Sequence, residues 1–233
     1  MKITKMHSVY QLAFMPQLFP VNCYLVEEDT SLTLIDAAMP YSAKSIIQAA
    51  KTIGKPITNI IITHAHADHV GALDMLKANL PEAQVSISSR DSHLLRGDAT
   101  IQPDEKNTPI RGGVPKNIKT RPDILLHEGD RIGSLEVIHS PGHTPGSISL
   151  LDMRNQSLIV GDAFQTRGGM AVSGTVKPFF PFPAMATWDK ETALISAEKL
   201  IGFEPSLLAA GHGKMINHPI ELMKKAINQA EMK

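Results

Sequence analysis

The chain has 233 residues, 42% of them apolar and 20% charged, which reads as a single globular domain over residues 1–233 with a sizeable core. Lys plus Arg and Asp plus Glu each number 23, so the formal net charge is zero. With no basic run, neither nucleic acid nor a membrane surface is expected as a partner. The N-terminal Met1-Lys2-Ile3-Thr4-Lys5 leads into no apolar segment long enough for a signal peptide or a membrane span, so a cytoplasmic chain is expected.

Residues 21–27 and 31–36 read as short strands joined through Glu28-Asp29-Thr30. The lone Cys23 falls inside the first of them, as a buried bystander. Ser42 can cap a helix running to about residue 53, ended by Gly54 with Pro56 beyond. An apolar strand over 57–62 follows, then a helix over about 70–79 and a strand at 84–88. Residues 97–122, with Pro103, Pro109 and Pro115, form a long excursion that reads as a second lid or a surface loop. Strands at 124–126, 135–138, 147–151 and 158–160 are then joined by tight turns. Thr187 can cap a helix carrying Asp189 and Glu191 in its first turn, where acids favour the helix dipole. Residues 206–210 read as a strand, and Pro219 opens a final helix with Ile220, Met223, Ile227 and Ala230 on one face. Two blocks of strands, each with helices attached, suit an α+β fold built as a four-layer α/β/β/α sandwich. Periodicity alone does not single this out from other α+β arrangements.

Four segments share one design, in which an apolar strand ends and metal-type ligands appear at once. Residues 60–63 lead to His64-Ala65-His66-Ala67-Asp68-His69, residues 135–138 through a Pro-Gly turn to His143, residues 158–160 to Gly161-Asp162, and residues 207–210 to Gly211-His212-Gly213. Strand ends are rigid anchors whose loops can converge on one point. In extended backbone His64 and His66 point the same way, which suits two imidazoles on one metal. Asp68 and His69 follow where the chain turns towards a helix, so they aim elsewhere, and Asp162 offers oxygens able to bridge two cations. Five histidines and two carboxylates suit Zn first, with Mn, Fe or Co as alternatives. His139 reads as a satisfied structural residue, and His7, His93, His127 and His218 as surface or helix-end residues.

The run Thr63-His64-Ala65-His66-Ala67-Asp68-His69, the downstream Pro-Gly-His143-Thr-Pro-Gly, Gly161-Asp162 and Gly211-His212 together resemble the signature of the metallo-β-lactamase superfamily. The resemblance implies that His64, His66 and His143 hold a first divalent ion, that Asp68, His69 and His212 hold a second, and that Asp162 bridges them. It also implies hydrolysis by a hydroxide held between the cations, with Asp68 orienting it and passing a proton to the leaving group. The bridging aspartate and the missing signal peptide set the chain apart from true β-lactamases. N-acyl-homoserine-lactone lactonases have this size and this ligand set, but usually carry a tyrosine where Gln165 stands here.

Six of the seven phenylalanines, Phe14, Phe19, Phe164, Phe179, Phe180 and Phe182, fall in loops or strand ends, and the run 178–183 is too proline-rich for a central strand. All of these but Phe164, with Gln165, are the candidate substrate pocket, for a hydrophobic acyl or ring group. The same loops equally suit packing onto the core or a homodimer interface. The expected activity is hydrolysis of a small apolar ester, a lactone or thioester. A phosphodiesterase and a non-catalytic metal-binding module are the alternatives.

Overall fold

The computed structural model describes residues 1–232. In chain order the first half comprises β1 (Lys2–Met6), β2 (Val9–Phe14), β3 (Val21–Glu27), β4 (Leu32–Ile35), α1 (Ala43–Ile53), β5 (Ile57–Ile62), α2 (Ala67–Val70), α3 (Leu73–Asn79), β6 (Gln84–Ser88), α4 (Asp91–Leu95) and β7 (Ile124–Leu126). The second half comprises β8 (Arg131–Ile132), β9 (Leu135–His139), β10 (Ile148–Asp152), β11 (Ser157–Ile159), β12 (Phe164–Gln165), β13 (Ala171–Val172), α5 (Phe182–Met185), α6 (Lys190–Ile201), β14 (Leu207–Ala209), β15 (Ile216–Asn217) and α7 (Ile220–Glu231).

Strands β1 to β7 form one sheet in sequence order, antiparallel up to β4 and parallel from β4 onwards. The other large sheet runs β15-β14-β11-β10-β9-β8, and its β11 and β14 are parallel. Three apolar layers separate the elements. Between the sheets lie Val9, Tyr24, Val26, Ile35 and Ile61 from the first, meeting Leu135, Val137, Ile148, Leu150 and Ile159 from the second. On the outer face of the first sheet Leu12, Leu25, Leu34, Ile60 and Ile62 pack with α1 and α3 through Ile46, Leu73 and Leu76. On the outer face of the second, Ile138, Leu158 and Leu208 pack with α6 and α7 through Ala197, Leu200, Met223 and Ile227. This is the α/β/β/α sandwich. It explains why the 57–62 run is apolar almost throughout: Ile60 and Ile62 face helices, and Ile61 faces the other sheet.

Besides adding the short elements β8, β12, β13, β15, α4 and α5, the structure departs from the sequence expectations in four places. The hairpin β1–β2 precedes the expected strands; its outer strand is largely exposed and polar, so its pattern is weak. The helix expected over 70–79 is two helices, and α2 already contains Asp68 and His69. Gly71 sits at the break, where a β-carbon would lie 2.6 Å from Pro40 Cδ. Ser42 precedes α1 without capping it through its side chain, whereas Gly54 closes α1 in the left-handed conformation (φ 86°). The cap of α6 is Asp189 rather than Thr187: Asp189 is extended and its carboxylate accepts from Thr192 N at 2.8 Å. Among the described residues no helix is long and apolar enough to cross a membrane.

Candidate metal centre

The seven residues arrive at one rim of the sandwich. His64 and His66 follow β5, Asp68 and His69 lie on α2, His143 sits in the turn after β9, Asp162 follows β11, and His212 follows β14. Strands β9, β11 and β14 run in one direction, so their C-terminal ends meet at the same edge. All of these side chains except Asp68 are at most 4% exposed. Asp68 keeps 28% of its side chain in solvent.

Ligand atoms of His64, His66 and His143 lie within 4.8 Å of one another, as do those of His64, His69 and Asp162, and of Asp68, His69 and His212. Asp162 stands between the outer two groups. Its Oδ2 is 3.4 Å from His143 Nε2 and 3.1 Å from His212 Nε2, and its Oδ1 is 3.5 Å from His69 Nε2. Gly211 makes this approach possible, since a β-carbon there would collide with Asp162 Oδ1 and the His69 ring.

Each imidazole is fixed through the nitrogen that faces away from the centre. His69 Nδ1 donates to Asp36 Oδ2 at 2.8 Å, and His212 Nδ1 donates to the Pro20 carbonyl at 2.6 Å. Thr63 Oγ1 gives its proton to Asp36 and so accepts from His64 Nδ1 at 3.1 Å. His143 Nδ1 donates to Ser173 Oγ, which donates to Thr187 Oγ1, which donates to the Pro183 carbonyl. His66 is turned the other way: its Nε2 donates to the Arg111 carbonyl at 2.9 Å. A carbonyl or carboxylate can only accept, so in the neutral form of each of the five rings the unprotonated nitrogen is the one that faces the centre.

That arrangement fits divalent cations. His66 Nδ1 and His143 Nε2 face each other at 3.0 Å, and by the tautomers above each carries a lone pair there. His64 Nε2, His69 Nε2 and Asp162 Oδ1 are buried without a hydrogen-bond partner. Buried polar atoms are rarely orphaned, and a cation between them satisfies all of these at once. Burial, with the imidazoles of His69, His143 and His66, holds His64 well below the usual histidine range, and burial likewise lowers His143 and His66. Burial also opposes charge on His69 and His212. There it is outweighed: Asp162, Asp36 and Asp68 raise His69 well above the usual range, and Asp162 and Asp68 raise His212. Burial works against ionised Asp162, but His212 and His69 hold its carboxyl well below the usual range.

The centre opens into a cavity of about 350 Å³. His66, Asp68, His143, Asp162 and His212 line its floor, and Phe19, Met39, Phe182, Pro183, Met185 and Ala186 much of its wall. Of the candidate pocket residues, Phe19 and Phe182 are thus at the mouth. Phe180 is 1% exposed and packs behind it, its ring 5.3 Å from that of His212 and 5.2 Å from that of Phe19. Three others are not at the mouth. Phe14 ends β2 in the core against Tyr41, Phe179 is 89% exposed, and Gln165 is buried opposite Ala171 in the β12–β13 hairpin, its amide without a partner. Of the 97–122 excursion, Arg111 holds His66 and Gly112 and Gly113 line the mouth. His139 is part-buried at the end of β9, outside the centre, and its Nε2 lacks a partner. His7, His127 and His218 are exposed and His93 partly so.

Sequence reasoning missed the residues that hold the ligands: Asp36, Ser173, Thr187 and Arg111. Asp36 carried a signal, since it follows an apolar strand as the candidate ligands do; its φ of 61°, unusual for a residue with a side chain, emerges only in the structure. The other three are placed only by tertiary contact.

A profile of the metallo-beta-lactamase superfamily matches residues 16–212. Uncharacterized protein YobT of Bacillus subtilis (strain 168) is 58% identical over 231 residues, which cover 99% of each chain. The probable metallo-hydrolase YflN of the same strain is 34% identical over 212 residues, 82% of this chain and 80% of YflN. Among solved structures, TTHA1623 in a di-iron-bound form aligns with a TM-score of 0.67 at 26% identity, over 91% of this chain and 96% of that one.

Proposed function

This chain belongs to the metallo-beta-lactamase superfamily of metal-dependent hydrolases, and we propose that it cleaves a small, neutral, apolar ester, a lactone or thioester, at a dinuclear centre. The observation that carries the reading is the composition of the mouth. Its wall is aromatic, methionine, proline and alanine, and no lysine or arginine is among the described residues that line it. The charge of the scissile group itself could be received by ions of the centre, but a substrate with further negative charge away from it, such as a polynucleotide or a carboxylate-bearing one, calls for cationic side chains in the wall. A neutral acyl chain or lactone ring calls only for apolar surface with a polar floor.

On this reading His64, His66 and His143 hold one ion, Asp68, His69 and His212 the other, and Asp162 serves both. Zn is the proposed metal for such an imidazole-rich set, with Mn, Fe and Co compatible; iron occupies the related TTHA1623 structure. Bound there, the two ions would supply Lewis acidity and lower the pKa of water to roughly 7. The chain's own residues do the rest. Asp68 is the one partly exposed carboxylate of the centre, its Oδ2 3.5 Å from His212 Nε2, which suits it to take a proton from the attacking water and return it to the leaving group. The hydrogen bonds behind the imidazoles keep their geometry fixed during turnover. Phe19 and Phe182 exclude water and orient the apolar part of the substrate.

A panel of N-acyl lactones of increasing chain length, thioesters, aryl esters and bis(p-nitrophenyl) phosphate, run on the Zn- and Mn-reconstituted protein, tests the proposal. Turnover rising with acyl length is the expected outcome. Protein holding two metals that cleaves none of the esters, or prefers the phosphodiester, overturns it.

A further inference from the structure

The three-histidine cluster is carried by two separate loops, His64-Ala65-His66 after β5 and the 141–147 turn around His143. These loops come from different sheets, and something must hold them in register. Asp91, at the start of α4, is 0% exposed and hydrogen-bonds to none of the seven residues of the centre. Its carboxylate spans both loops instead. Oδ2 accepts from Ala65 N at 2.8 Å, between the two histidines, and from Thr144 Oγ1 at 2.8 Å, next to His143. Oδ1 accepts from Gly146 N at 2.9 Å.

The neighbouring residues are shaped around this clamp. Ser88 Oγ accepts from Asp91 N at 3.1 Å and donates to the Gly146 carbonyl at 2.5 Å. A β-carbon at Gly146 would lie 2.5 Å from Asp91 N and 2.6 Å from Oδ1, so the turn approaches only because residue 146 has none. Ser147 Oγ accepts from Thr144 N at 3.0 Å and donates to Thr144 Oγ1 at 2.7 Å, which leaves the Thr144 proton for Asp91.

No cation pairs with Asp91 among the described residues, and a buried carboxylate satisfied only by neutral donors is an expensive way to join two loops. What it does that an amide cannot is accept on both oxygens. An asparagine would set its NH₂ against one of the donors.

We propose that Asp91 is a positioning residue for the first metal site: it fixes the spacing of the His64-Ala65-His66 loop against the His143 turn and so sets the metal affinity of the three-histidine site selectively. The second site, Asp68, His69 and His212, is held through Asp36 and Pro20 and receives no bond from Asp91. The inference rests on reading these clusters as metal sites and does not depend on the substrate.

The test is a stepwise competition titration of the full-length chain against a chromophoric zinc chelator, with elemental analysis. Wild type, Asp91→Asn and Thr144→Val are compared, with His64→Ala and His212→Ala marking which step belongs to which site. Asp91→Asn is expected to weaken the step that His64→Ala abolishes by about 10–100-fold, and to leave the His212→Ala step within about twofold. Thr144→Val removes one of the three donors and keeps the carboxylate, so it should weaken the same step by less; it carries the test if Asp91→Asn does not fold. Equal weakening of both steps, or an unchanged first step in folded protein, overturns the role of Asp91. Wild-type protein that takes up no metal overturns the reading of the centre and this inference with it, whereas inactivity on every ester leaves the titration intact.

Discussion

The floor and the wall of the cavity are held in different ways. On the floor, His66, His69 and His212 have the far nitrogen tied to a carbonyl or carboxylate, His64 to a Thr63 hydroxyl committed to Asp36, and His143 through a three-step relay ending at the Pro183 carbonyl. On the wall, Phe182 is 50% and Met185 65% exposed, and they are held by packing alone, Phe182 against Phe19 and Phe180 at ring distances of 5.0 and 5.5 Å. Directional bonds fix a geometry to tenths of an ångström; apolar packing fixes a volume and a polarity. The reaction is thus specified tightly and the substrate loosely, so changes to the wall should alter selection without disturbing the centre.

Replacing Asp162 with alanine is the most severe way to break this contrast. It removes the one carboxylate shared by the two halves of the floor, so metal content should fall below two ions per chain. Turnover should drop by more than the roughly 10–100-fold typical of outer partners, and unchanged metal by elemental analysis would refute the assignment. A chelator, in turn, should lower the melting temperature: saturation at 100 times Kd stabilises by about 2.7 kcal/mol per site. Calorimetry with and without EDTA measures that shift, which Phe182→Ala should leave intact.

Asp36→Asn is next in size. An amide cannot accept from Thr63 N, Thr63 Oγ1 and His69 Nδ1 as the carboxylate does. Metal affinity should fall about 10–100-fold, and in the metal-free protein His69 should lose its proton at lower pH, because a charge that raises it is gone. Imidazole NMR of the variant reads that direction, and an upward move would contradict the assigned contact. Gly112 joins the two regions. Its φ of +88° and the 2.5 Å between a built β-carbon and His66 Nε2 mean that Gly112→Ala should push His66 off the Arg111 carbonyl. A loss in kcat, rather than in KM alone, distinguishes this from an effect on the wall.

The smallest expected effect is on the wall itself. Phe182→Ala removes a half-exposed ring, which corresponds to about 1 kcal/mol or roughly a fivefold rise in KM for long-chain esters with kcat retained. A fall in kcat with unchanged KM would show that the wall also shapes the centre.

The convergence of the seven candidate ligands was legible in the sequence because they recur in a local pattern: an apolar strand, a tight turn, then histidine or aspartate. That pattern is written within a few residues each time, and the extended backbone of His64-Ala65-His66 dictates a shared side-chain direction. The two-block order of strands and helices was legible for the same reason, as was the left-handed Gly54 at the end of α1. Less was legible where two local signals competed. Thr187 and Asp189 both suit a helix cap, and the contacts of Thr187 with Pro183 and Ser173 decided for Asp189. The expected 70–79 helix is two helices that part at Ala72, beside Gly71, whose lack of a side chain lets it pack against Pro40, a contact between segments far apart in sequence.

Sequence by itself therefore determined the make-up of the floor: which residues offer candidate ligand atoms, in what order, and close behind which strands. Only the tertiary structure decided which phenylalanines face the cavity, sending Phe19 and Phe182 to the mouth, Phe180 behind it, Phe14 into the core and Phe179 into solvent. It alone also brought Asp36 and Asp91 behind the histidines. Ligand type is a property of a residue and its near neighbours. Exposure and long-range hydrogen bonding belong to the packed chain, where residues 26 and 53 positions apart, such as Ala65 and Thr144 from Asp91, meet on one carboxylate.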